Sequence, residues 1–327
     1  MPPTSALPDV GPERTSPSPA LTTTLDAQVG FDARTRQGLS NHLPMELLAL
    51  DALGAPAAAL EVVFERWTGQ LLRPRADTAV FDAFSAEIAS DGIDATVADH
   101  LPRFVESPAS EWFHSMIRLA YALDAGHAGQ VASALTDWTT YGRTLPGEPP
   151  TGGEVPALAV LRELHDTELD RGASHADLAT VARQRAFTEV VAPVVVTTDL
   201  DDLAAAVAAA HVGGADLASL HLVTGVQAAR SLAGRLAAPT AQRFARRVVQ
   251  AVAAGYVAAG APPIPADAEL EERGGADVPA WDEVRAAAVA SPDVHVTKLV
   301  YTCRLERATT GDPLYSWLAA REVGLLV

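Results

Sequence analysis

The stretch Val190-Val-Ala-Pro-Val-Val-Val-Thr-Thr198 decides the fold class of this 327-residue chain. It is the best β-branched run in the sequence, and Pro193 interrupts it, removing a ladder donor and confining any strand there to a sheet edge. Strand signals elsewhere are scarce. On both sides the pattern is helical: apolar residues recur at i, i+3 and i+4 over 41–53, 56–70, 79–89, 94–104, 111–125, 130–138, 156–168, 175–187, 200–210, 217–237, 241–259, 281–290, 294–307 and 314–323. The expectation is an all-α protein, a single large multi-helix domain over 25–327. Residues 1–24, rich in Pro, Ser and Thr, predict a disordered tail. The Pro/Gly-rich segments 139–154 and 260–280 break the rhythm as loops, but helical patterns of the same character continue beyond each, so neither marks a domain boundary.

Composition narrows the function. A net charge of −17 leaves no basic stripe for a nucleic-acid backbone or an anionic membrane. No run approaches the ~18 uninterrupted apolar residues that a spanning helix needs. A lone cysteine, Cys303, rules out an intrachain disulfide and suits a reducing cytoplasm. No Gly-x-Gly-x-x-Gly follows a strand, and neither a Gly-x-Ser-x-Gly nor a Walker loop occurs, so a dinucleotide or flavin domain is not expected. The partner expected is a small molecule, in a cytoplasmic protein whose oligomeric state is left open.

The 24 basic residues comprise 23 arginines and one lysine, Lys298. Two properties separate the types: a buried lysine can shed its proton whereas arginine stays charged, and the neutral amine is a nucleophile that forms Schiff bases or takes up CO2 as a carbamate. His295 stands three residues earlier in Asp293-Val-His-Val-Thr-Lys298, so both side chains project from one helix face.

Of the nine histidines, four open or punctuate apolar helices: His42 in Ser40-Asn-His-Leu-Pro-Met-Glu46, His114 after Trp112 and Phe113, His221 between Leu220 and Leu222, and His295. Any one could be a core histidine satisfied by a backbone carbonyl. Four together must each find partners, and converging on a metal satisfies several at once. Imidazoles with one carboxylate-like oxygen, here a carbamylated Lys298, suit Fe(II), Mn(II), Zn(II) or Ni(II), and O2 chemistry would select iron. His211 is the best substitute should one of the four fail, while His165, His100, His127 and His175 fit solvated positions. Cys303 falls on another helix face and is expected in the core. Arg118, one turn after His114, is a candidate to orient a phenolate or to pair with a carboxylate such as Glu46. Trp112, Phe113, Tyr121 and Tyr301 are candidate stacking residues for an aromatic substrate.

Five blocks, Ser40–Glu46, Phe113-His-Ser-Met-Ile-Arg-Leu119, Leu220-His-Leu-Val-Thr-Gly225, Asp293–Val300 and Gly311-Asp-Pro-Leu-Tyr-Ser-Trp-Leu318, resemble the questin oxidase-like family in that family's order. The resemblance implies an all-α non-haem iron oxygenase of secondary metabolism, with His42, His114, His221, His295 and carbamylated Lys298 as ligands to Fe(II) or another divalent metal. It further implies O2 as co-substrate and Baeyer-Villiger-type insertion or ring cleavage in a polyphenolic or quinone-like aromatic ketone. An external reductant such as NADPH is left open. Two other readings compete: a zinc-dependent hydrolase using the same site, and a non-catalytic α-helical ligand-binding protein whose histidines are merely core.

Overall fold

The computed structural model describes residues 16–171 and 177–326. Among the described residues, seventeen helices and one two-stranded sheet make up the regular structure, so the protein is all-α. The first half runs α1 (Pro19–Gln28), β1 (Phe31–Thr35), α2 (Leu43–Ala52), α3 (Ala57–Gln70), β2 (Leu72–Pro74), α4 (Thr78–Asp91), α5 (Ile93–Phe104), α6 (His114–Asp124) and α7 (Ala128–Tyr141). The second half continues with α8 (Ala157–Asp166), α9 (Leu178–Ala182), α10 (Arg185–Val191), α11 (Asp201–Gly213), α12 (Leu217–Ala233), α13 (Ala238–Ala258), α14 (Asp267–Gly274), α15 (Trp281–Ala290), α16 (Val294–Thr310) and α17 (Leu314–Glu322).

The Val190–Thr198 run forms no strand. Its first two residues end α10, and Val194 makes a single parallel bridge to Val155, after which the chain turns into α11. The actual strands, antiparallel β1 and β2, are too short to have announced themselves by alternation. The expected tail also needs correction. Residues 1–15 lie outside the described residues, but 19–24 belong to α1: Ser18 accepts from the Leu21 amide as N-cap, Pro19 begins the helix, and Leu21 and Leu25 are buried one turn apart. The 175–187 pattern resolves into α9 and α10, with 172–176 outside the described residues. The 139–154 segment is anchored, since Gln250 donates to the Pro146 carbonyl and Arg247 to that of Gly147; the 260–280 segment contains α14.

The N-terminal parts of four helices, α2, α6, α12 and α16, carry the four singled-out histidines. Helix α2 is buried from Leu43 to Asp51, apolar but for Glu46 and Asp51, and packed by α1, α3, α6 and α16. Helix α12 lies against α6, α11, α13 and α16, and its residues from Ser219 to Ala229 are all buried. Helix α16 buries Thr297 to Arg304.

Candidate metal centre

The ring nitrogens Nε2 of His42 and His114 stand 2.9 Å apart, and those of His114 and His221 stand 3.1 Å apart. All three candidate ligand atoms lie within 4.8 Å of one another. The ring of His295 borders the group, its centroid 5.0 Å from that of His42 and 5.5 Å from that of His221.

The far side of each ring decides what this convergence means. His42 Nδ1 lies 2.8 Å from the Ser40 carbonyl, His221 Nδ1 lies 2.6 Å from that of Leu217, and His114 Nδ1 meets that of Glu111. A carbonyl only accepts, so each Nδ1 carries the ring's proton and each Nε2 presents a bare lone pair. Three lone pairs at such separations repel unless a cation lies between them. Protonation is a poor remedy, because burial and neighbouring cationic groups hold His42 and His114 well below the usual imidazole range and push His221 down to about 3. A metal ion is a good one: two imidazole nitrogens each ~2.1 Å from an ion and at right angles stand ~3 Å apart. Fixing Nδ1 on a carbonyl is the orientation that metal-bound histidines adopt. His295 follows the same scheme with its Nδ1 3.0 Å from Asp293 Oδ1, and burial, then Lys298, lowers its pKa.

Local sequence explains each position. His42 is the N-cap of α2, where Asn41 Oδ1 accepts from the Leu43 amide and Pro44 fills the first turn. Asp293 caps α16 by accepting from the His295 amide at 2.8 Å, so one carboxylate starts the helix and orients its imidazole. His114 follows Glu111, Trp112 and Phe113, which are all left-handed with φ of 52°, 55° and 68°. Non-glycine residues in that region cost about 1–3 kcal/mol each, and this turn brings the Glu111 carbonyl onto His114 Nδ1.

Lys298 is fully buried on α16, and its Nζ has no hydrogen-bond partner among the described residues. Burial first, and then the charge of Arg118, pull its pKa down to about 7. Its charge in turn helps to lower the pKa of all four histidines, which places the amine in their neighbourhood.

Two expectations need correction. Arg118 does not pair with Glu46: its Nη2 donates to the carbonyls of Asn41 at 2.7 Å and Ala33 at 3.1 Å, because the side chain crosses to the β1–α2 connection. It therefore holds the backbone that delivers His42. Glu46 accepts from Arg66 at 2.5 Å and from the Trp67 indole at 2.6 Å, and Trp67 stacks on the His42 ring at 18°. Nor are three of the four aromatic candidates, Phe113, Tyr121 and Tyr301, open to a substrate, since all three are buried. Phe113 and Tyr121 are core residues, Trp112 is half-buried, and Tyr301 lines a separate cavity of about 270 Å³ with Leu21, Leu48 and Arg304.

Sequence reasoning missed Arg66, Trp67 and Asp293. The N-cap signature before Val294 could have revealed Asp293, whereas nothing local in α3 marks the other two. The remaining histidines lie elsewhere: His211 bonds Ser219 at 2.8 Å, His165 meets the Ala261 carbonyl, His127 caps α7 and His100 pairs with Glu87, while His175 is outside the described residues. Cys303 is buried.

Residues 39–303 match the sequence profile of a family described as questin oxidase-like. No curated protein matches the chain. No helix among the described residues is long and apolar enough to cross a membrane.

Proposed function

Because this chain belongs to the questin oxidase-like family, which points to an oxygenase of secondary metabolism, we propose that it is an O2-dependent, non-haem Fe(II) enzyme acting on a planar polyphenolic or quinone-like aromatic ketone. One observation carries the metal part: three Nε2 atoms converge while the Nδ1 of each ring meets a backbone carbonyl. His42, His114, His221 and His295 hold the ion, and Lys298 completes the set after its neutral amine adds to CO2, forming the N–C bond of a carbamate and releasing one proton. Iron in such a set supplies the one-electron chemistry that lets O2 react with a closed-shell aromatic.

The chain's own residues set the approach. His114 and His221 are buried, while His42 and His295 are only partly so, which supports entry of the substrate along the His42–His295 side. Arg66 is 41% exposed there, bridging Glu46 and the Pro292 carbonyl, and its guanidinium suits a phenolate oxygen. Oxygen is then inserted beside the carbonyl or across a ring bond. If one oxygen atom enters the product, the other leaves as water and two electrons come from an external reductant such as NADPH; if both enter, none is needed. The buried thiol of Cys303 is consistent with a cytoplasmic setting.

The test is metal analysis of anaerobically purified protein, followed by O2 uptake with a hydroxyanthraquinone or its quinol. Stoichiometric iron and substrate-dependent O2 consumption are expected. Stoichiometric zinc with no O2 uptake would overturn the proposal in favour of hydrolysis at the same histidines. Metal content unchanged by His42→Ala and His221→Ala would leave a non-catalytic binding protein.

A further inference from the structure

The left-handed turn at 111–113 is held by something outside itself. The fully buried ring of Phe113 lies against two helical glycines on different helices. A Cβ on Gly225 of α12 would stand 3.0 Å from Phe113 Cγ and 3.2 Å from its Cβ, and a Cβ on Gly255 of α13 would stand 3.6 Å from Phe113 Cε2 and 2.8 Å from Leu222 Cδ2. Glycine weakens a helix interior, and the ring explains that sacrifice at Gly225; at Gly255 the tight neighbour is Leu222 Cδ2, and the ring is at ordinary van der Waals distance. Gly225 lies four residues after His221, on the same face of α12. Phe113 immediately precedes His114, whose Nε2 is 3.1 Å from that of His221. One side chain thus joins the turn that aims one imidazole to the helix that carries the other.

We infer that Phe113, seated in the Gly225–Gly255 slot, is a positioning residue that holds the strained turn and thereby sets the spacing of His114 and His221 for a divalent metal. The inference rests on the proposed role of the histidine cluster as a metal centre. Removing the wedge leaves the histidines in place but lets the turn relax, so that the Glu111 carbonyl no longer orients His114. Residues that orient ligands in this way typically change metal affinity by about 10–100-fold when replaced.

The experiment compares Phe113→Leu and Gly225→Ala with wild type and with Phe187→Leu, a buried substitution on α10, which carries none of the four histidines. Co(II) is the probe, with its dissociation constant and visible absorption spectrum as readouts and thermal unfolding of the metal-free proteins as the measure of stability. The expected result is at least about tenfold weaker Co(II) binding with an altered spectrum in the two slot variants, and wild-type binding in Phe187→Leu at a comparable loss of thermal stability. A folded slot variant with wild-type affinity and spectrum would overturn the inference, as would equal weakening in Phe187→Leu. Failure of both slot variants to fold would overturn it too, because the wedge would then serve the fold and not the ligand geometry. Absence of Co(II) and Fe(II) binding in wild type is a different outcome and sinks the metal centre itself.

Discussion

At the scale of single residues, the chemistry of the site comes from which atom of each side chain is left unoccupied. Each of the four imidazoles gives one nitrogen to a local acceptor, His42, His114 and His221 bring their other nitrogens together, and Lys298 is buried with no partner among the described residues. That burial has a pH signature in the metal-free protein. An unfolded lysine titrates near ~10.4, whereas native Lys298 titrates at about 7, so between these values the unfolded chain holds a proton that the native state has lost. Stability must therefore rise with pH across that window. In CO2-free buffer, denaturant unfolding should show wild type gaining on the order of 2–4 kcal/mol relative to Lys298→Met between about pH 7 and pH 10. A pH-independent difference would mean that the amine reaches water. The ligand assignment has its own control. His114→Ala and His221→Ala should each lower bound metal by at least about tenfold, measured by elemental analysis, while His165→Ala and His211→Ala retain it.

At the scale of elements, each ligand sits at or near a helix start, where local rules place it. Helices α6 and α12 carry similar segments, Phe113–Gly126 and Leu220–Gly234, each with a histidine near the head of an apolar stripe, and the two helices pack together. Supporting contacts cross between elements: α3, which holds no ligand, contributes Trp67 and Arg66, and α6 sends Arg118 to the β1–α2 connection. Replacing Trp67 by Phe removes the indole donor to Glu46 while keeping an aromatic surface beside His42. It should weaken metal binding by about tenfold with little change in unfolding temperature, a split that titration and calorimetry will detect. Helix α1 offers the opposite case. Leu25→Ala empties a buried position and should cost roughly 2–4 kcal/mol in urea unfolding, yet leave metal stoichiometry intact, because α1 packs on α2, α3 and α7 and carries none of the four histidines.

At the scale of the whole molecule, four helices far apart in sequence must be brought together before the lone pairs meet. A ligand that binds only this assembled state stabilises it, by about 4 kcal/mol at a free concentration a thousand times its dissociation constant. Chelator treatment should therefore lower the unfolding temperature by several degrees, and adding Fe(II) back under anaerobic conditions should restore it; calorimetry with no such shift would count against a metal bound across the helices. The all-α class could be read from the sequence, since a 3.6-residue period is a local property and Pro193 disabled the best strand candidate. So could the candidate histidines and Lys298, because imidazoles set in apolar helices and one lysine among 23 arginines are visible without coordinates. Start-of-helix chemistry at Ser18 was equally local but lay hidden in a stretch whose composition resembled a tail. Only the tertiary structure decided that Arg118 serves a backbone loop, that Glu46 answers to Trp67 and Arg66, and that a phenylalanine wedged between two helical glycines stands behind His114. Those facts depend on the angles and distances at which separate helices cross, and periodicity within a helix says which face turns inward but not what that face will meet.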